Sequence, residues 1–271
     1  MDALAALTLV FVAGLITALA TGLGAIPFFL VEDVSDRWHV VLWGLASGLM
    51  LSASVFGLIK EGMAATATPL RDIVPGLLAG VVLVVVSHRI LDGAEIDPRE
   101  YTEADFKKLV LVLGILTVHS FPEGVAVGVS FADLDLAGAA GPVIAGLTVP
   151  LLAVFMTIAI AIHNVPEGVA ISIPLRAMGV SEWRMVGWAI FSSLPQPIGA
   201  VIAFAFIRLA REWLPFGFGF AAGAMIYLVV TEFVPEALEA GDSLSTRGRP
   251  ELLVGIATGV IAMAPLALIE V

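Results

Sequence analysis

Two stretches of the chain carry one eight-residue pattern. His119-Ser120-Phe121-Pro122-Glu123-Gly124-Val125-Ala126 is echoed by His163-Asn164-Val165-Pro166-Glu167-Gly168-Val169-Ala170, with six of eight positions identical and a constant offset of 44 residues. In each copy the His and Glu stand four apart, so on a helix they share one face and can converge on one ion. Two neutral imidazoles and two carboxylates are ligand types favoured by zinc and neighbouring divalent transition metals. A divalent cation would cancel both carboxylate charges. An empty site must instead take up protons or water, because two close carboxylates cannot both stay charged cheaply, so metal and proton compete. The prolines at 122 and 166 remove a backbone donor and leave the carbonyls of Val118 and Ile162 without their usual partners. A blander role is also open: each His as an interhelical hydrogen-bond donor and each Glu as a protonated packing residue. The duplication of the whole pattern weighs for the metal site.

The elements that position these residues are long apolar runs. Of 271 residues, 59% are hydrophobic and 14% charged, with a mean hydropathy of +1.04. That composition excludes an ordinary soluble protein and indicates an integral membrane one. An ionisable side chain at the centre of a bilayer costs about 3 kcal/mol on insertion scales, which makes intramembrane His and Glu functional candidates by default. Unpaired carbonyls at that depth are tolerated only beside protein, water or ligand, and broken or kinked helices there commonly mark transporter sites. With no cysteine, neither a disulfide framework nor a thiolate metal site can form. The net charge of −11 argues against a nucleic-acid partner. The first apolar run follows Met1-Asp2 without a basic lead and reads as a retained helix.

A spanning helix needs about 20 mostly apolar residues. Eight runs qualify, near 3–31, 39–60, 73–91, 109–132, 143–174, 183–209, 215–238 and 251–270, predicting an all-α membrane protein with residues 1–271 as one transmembrane domain. With the N-terminus outside, the inner loops hold nine basic residues: Arg37, Arg89, Arg99, Lys107, Lys108, Arg176, Arg184, Arg247 and Arg249. The outer loops hold four, Lys60, Arg71, Arg208 and Arg211, so the positive-inside rule places both termini outside. Glycines such as Gly14, Gly22, Gly24, Gly44 and Gly48 predict close helix packing. Trp38, Trp43, Trp183, Trp188 and Trp213 fall near helix ends and suit an interfacial aromatic belt. His39 opens the second run and reads as an interface anchor.

At the two motifs the chain resembles the ZIP family of divalent metal transporters, most closely its GufA-like branch. The likeness extends to Thr21-Gly22-Leu23-Gly24-Ala25-Ile26-Pro27, Ala46-Ser47-Gly48-Leu49-Met50-Leu51 and Glu232-Phe233-Val234-Pro235-Glu236-Ala237. It implies a cell-membrane bundle of eight helices with extracytoplasmic termini, in which helices 1–3 and 6–8 are inverted repeats around helices 4 and 5. It also implies that His119, Glu123, His163 and Glu167 are ligands of the principal site, with Asn164 beside it and Met50 offering a thioether. Members with two metals have an amide or carboxylates where this chain has Ser120, Asn164 and Gln196. All three offer oxygen without charge, which implies one metal. In place of a histidine-rich third loop stand His88, Asp92, Glu95, Asp97, Glu100, Glu103 and Asp105. His88 and Asp92, spaced i,i+4, can receive metal on the inner side, although a solvated acidic loop is the plainer reading. Glu232 and Glu236 share a face of helix 7 and either line a pathway or, for Glu236, reach the interface.

The resemblance thus implies movement of zinc, or of iron, manganese, cobalt or cadmium, into the cytoplasm, with no prosthetic group and no ATP motif. The bilayer and the ion are the expected partners, and homodimer formation is left open. Two other classes fit the same residues. An intramembrane zinc hydrolase would use either Glu as base, but no His-Glu-x-x-His occurs. A metal-sensing bundle would bind without flux.

Overall fold

A computed structural model describes residues 3–31, 34–92, 119–134, 140–177 and 179–267. The acidic loop from Glu95 to Asp105, the basic residues Arg99, Lys107 and Lys108, residues 109–118 of the fourth run and the side chain of Asp92 lie outside them.

The helices, in chain order, are α1 (Ala3–Leu23, with a 3-10 turn at Ile26–Phe29), α2 (Asp36–Ser52, continuing through Lys60–Ala64), α3 (Val74–Asp92), α4 (119–130), α5 (Leu151–Ala177), α6 (Glu182–Ser192 and Pro195–Leu209), α7 (Leu214–Leu228, continuing through Val234–Ala240) and α8 (Arg249–Ala262). Six stretches are long and apolar enough to cross a membrane: Ala3–Phe29, Asp36–Ala64, Pro69–Ile90, Leu151–Ile173, Glu182–Leu209 and Arg211–Ala240. The described parts of α4 and α8 are shorter than a bilayer needs. The protein is therefore a mostly helical, multi-pass membrane protein with six spans among its described residues.

Three local departures from the expected pattern have physical causes. The chain is not wholly α: Val143–Ile144 pairs antiparallel with Leu147–Thr148, and α5 begins at Leu151. The hairpin turn places both Ala145 and Gly146 at positive φ, as tight two-residue connections require, and Pro150 ends the strand. The sixth run breaks after Ser192, and Pro195 restarts it at a first helical position that needs no amide hydrogen. By contrast α5 runs unbroken through Pro166. The widened turns lie elsewhere, as π-helical segments at Ala53–Ile59 of α2 and Val229–Phe233 of α7.

Glycines set the helix crossings. α8 lies on α2 and α7 lies on α3. In the first pair Gly44 and Gly48 meet Gly255 and Gly259; in the second Gly76 and Gly80 lie against the backbone of Phe216 and Phe220, and Gly219 and Gly223 against that of Ile73 and Leu77, each pair of glycines four residues apart. A methyl group on Gly48 or Gly80 would overlap the carbonyl oxygen of Ile256 or Phe220, which is the close backbone approach that small-xxx-small patterns permit. α1 packs on α5 and on both halves of α6. Gly168 sits against the Thr21 carbonyl and Gly124 against that of Gln196. Leu78, Val82, Val86, Ile158, Ile162, Ile198 and Ile202 point outward, an apolar exterior suited to lipid.

Four tryptophans, Trp38, Trp183, Trp188 and Trp213, are exposed as a belt requires. Trp43 is not among them: it is buried, donates from Nε1 to Nε2 of His39 at 3.1 Å and packs on Phe233. His39 is thus the partner of an interior indole.

Replacing Gly168 by Val should cost about 1–3 kcal/mol through overpacking and lower the melting temperature of the detergent-purified protein. Gly187→Ala, where a Cβ meets open space, should leave it level or raise it.

Candidate metal centre

Glu123 of α4 and His163 and Glu167 of α5 come together inside the bundle, their ligand atoms all within 4.8 Å of one another. All three are sealed from solvent, at 0%, 1% and 0% exposure. His163 Nε2 lies 3.1 Å from Glu123 Oε1. Both oxygens of Glu167 are buried without a hydrogen-bond partner. An unpaired buried carboxylate is among the costliest groups a protein can hold, and a cation placed between these three side chains removes that cost. The one-turn spacing of His163 and Glu167 aims both to the same side of α5. Gly168 and Gly124 then let α1 and α6 close over the group.

A chain of amides braces it. Asn164 Nδ2 donates to the Thr17 carbonyl of α1 at 2.7 Å and to Gln196 Oε1 at 3.1 Å, and Gln196 Nε2 donates to Glu123 Oε2 at 2.6 Å. Gln196 occupies the first turn after the break in α6. Both amide nitrogens are therefore spent on protein acceptors. Asn164 Oδ1 is buried with no hydrogen-bond partner and is free to face an ion.

His119 joins a different group. Its Nε2 is 3.2 Å from Nε2 of His88 on α3 and 3.0 Å from Oε1 of Glu232 on α7, and that oxygen is 2.7 Å from His88. The three form a second ion-sized cluster. His119 is buried there, with Nδ1 unpartnered, while the side chains of His88 and Glu232 are 22% and 20% exposed. The helical spacing does put His119 and Glu123 on one face, but they sit just over a turn apart, about 6 Å along the axis. At the level of Glu123 that face meets α5 and α6; at the level of His119 it meets α3 and α7. His88 finds partners across helices, on α4 and α7, and Glu232 is presented by the π-helical segment of α7, a feature frequent at functional sites.

The remaining candidates are placed less centrally. Met50 is buried in the main apolar core on α2, and Ser120 is buried next to His119 on α4. Neither belongs to the two ligand groups, nor does Glu236, which is exposed on the last segment of α7. The Thr17 carbonyl escaped sequence reading, since a backbone acceptor leaves no residue-type signal.

Glu167→Gln and His163→Ala should each weaken zinc binding by the purified protein by about 100-fold or more, beyond the 10–100-fold typical of losing a residue that merely orients a ligand. Met50→Ala should shift it far less. Isothermal titration in detergent measures both.

Residues 142–267 match the family model described as ZIP Zinc transporter. Three relatives illustrate the breadth of the likeness. A candidate zinc transporter of Arabidopsis thaliana is 43% identical over 223 residues, covering 82% of this chain but only 33% of that longer protein. The zinc transporter GufA of Myxococcus xanthus is 29% identical over 239 residues, covering 85% of this chain and 89% of the relative. The zinc transporter ZIPB of Bordetella bronchiseptica is 32% identical over 231 residues, covering 82% and 70%. A duplicated His-x-x-Pro-Glu-Gly pattern, a sealed His/Glu cluster between adjacent helices and these likenesses lead to one assignment: the chain belongs to the ZIP zinc transporter family.

Proposed function

We propose that the chain carries a divalent transition-metal ion, zinc foremost, across the cell membrane into the cytoplasm. The observation that carries this reading is the sealed Glu123–His163–Glu167 cluster with both Glu167 oxygens unpartnered. Membership of a transporter family sets the hydrolase aside.

The cluster around His119 extends the route. His88 stands beside Arg89 at the last turn of α3, the end that the basic-residue count assigns to the cytoplasm. His119 precedes Glu123 by one turn on α4, and Glu232 lies in the last third of α7. A cation leaving the sealed cluster towards the cytoplasm would therefore meet His119 next, then the part-exposed His88 and Glu232. Two ligand sets of unlike exposure, one turn apart, suit stepwise passage better than a catalytic or sensing site. Iron, manganese, cobalt and cadmium share the ligand chemistry and are secondary candidates.

The finer architecture belongs to the same proposal: one transmembrane unit of eight helices with extracytoplasmic termini and helices 1–3 and 6–8 as inverted repeats. Supporting it, the α2–α8 crossing and the α7–α3 crossing use the same paired glycines, and α2 and α7 each carry a π-helical turn after their first four turns. Exchanging 1, 2, 3 for 6, 7, 8 turns one crossing into the other. An inside-negative potential favours entry of a divalent ion by about 4.6 kcal/mol per 100 mV, twice the single-charge value, so import needs no ATP.

Proteoliposomes with a trapped zinc indicator test the reading. Uptake should rise with an inside-negative potential and vanish in His163→Ala/Glu167→Ala; metal bound by the purified protein without flux under any gradient would sink transport. Glu232→Gln should slow uptake by about 10-fold while leaving affinity at the sealed cluster unchanged.

A further inference from the structure

The amide chain beside the sealed cluster has a polarity that its chemistry dictates. A carboxylate only accepts hydrogen bonds, so the Gln196 atom 2.6 Å from Glu123 Oε2 must be its nitrogen. The Gln196 oxygen then faces Asn164, which must answer with nitrogen, and that same nitrogen reaches the Thr17 carbonyl. The four members come from α1, α5, α6 and α4, and Thr17, Asn164, Gln196 and Glu123 are each 0% exposed. Every donor of the Asn164 amide group is thereby used, and the order Thr17–Asn164–Gln196–Glu123 admits no reversal.

The consequence falls on Glu123. Its Oε2 is occupied by a neutral donor, while its Oε1 faces His163. We infer that Gln196, oriented by Asn164, is a positioning residue that keeps Glu123 a one-oxygen ligand, so the centre takes a single divalent cation of low coordination number. This rests on the transport reading and deepens it. Zinc and cobalt(II) accept four ligands, whereas manganese and other hard cations want six oxygens and gain from carboxylates that bind through both. The amide also brings no charge. Glu123 and Glu167 neutralise one divalent ion, and a second would stand uncompensated in a low-dielectric interior.

The test uses the full-length protein in detergent, with cobalt(II), zinc and manganese as probes and Glu167→Gln to locate the signal. Wild type should give the intense visible absorption of four-coordinate cobalt(II), lost in Glu167→Gln. Gln196→Leu frees Oε2, and should weaken that absorption several-fold and raise manganese affinity relative to zinc by about 10-fold. Gln196→Glu, nearly isosteric and purified in the presence of zinc, should bind one more zinc per chain than wild type by equilibrium dialysis and elemental analysis. Unchanged cobalt absorption and an unchanged manganese-to-zinc ratio in Gln196→Leu, or unchanged stoichiometry in Gln196→Glu, overturns the positioning role alone. No cobalt signal in wild type that depends on Glu167 overturns the metal site itself, and the positioning role with it.

Discussion

Two carboxylates held away from water between membrane helices are the constraint to which the rest of this structure answers. Glu123 has found a hydrogen bond for each oxygen, one from Gln196 and one shared with His163. Glu167 has found none. In a medium of low dielectric constant that imbalance cannot persist as a bare charge; it is relieved by a proton or by a cation that both carboxylates and the imidazole touch. A soluble protein would leave such a group at its surface. Here the apolar exterior forbids that, and the helices must bring the counter-charge's other ligands to it.

Bringing them demands close approach. Each carbonyl that a glycine lets into van der Waals contact moves two helix axes closer than side chains of ordinary size allow, and the sealed cluster lies where two such approaches, at Gly124 and Gly168, flank α4 and α5. α1, α4, α5 and α6 are stitched by the amide chain and by glycine contacts, while α2 with α8 and α3 with α7 form the paired crossings, and α2 also packs on α5 and α7. The sealed cluster lies among the amide-linked helices, and the second cluster joins α4 to α3 and α7.

Much of this was legible in the residues. The duplicated motif pointed to all three side chains of the sealed cluster, because helical spacing is a local property: residues four apart share a face wherever the helix is placed. Composition required a membrane, and six of the expected runs are spans among the described residues. His88 stood out at the head of the acidic loop and Glu232 on one face of helix 7, although nothing in their spacing linked α3 to α7.

What the sequence by itself determined was the chemistry and which residues point together: His163 with Glu167, Glu123 one turn beyond His119, glycines aligned along single faces. Only the tertiary structure decided which neighbour each face meets. It sent His119 to His88 and Glu232, buried Trp43 against Phe233, and joined Asn164 and Gln196 in a hydrogen-bonded chain that ends on Glu123. The reason is that a periodic pattern repeats every 3.6 residues with no memory of position along the axis. The partner at each turn is set by how other helices cross, and those crossings depend on glycine contacts between segments far apart in the chain.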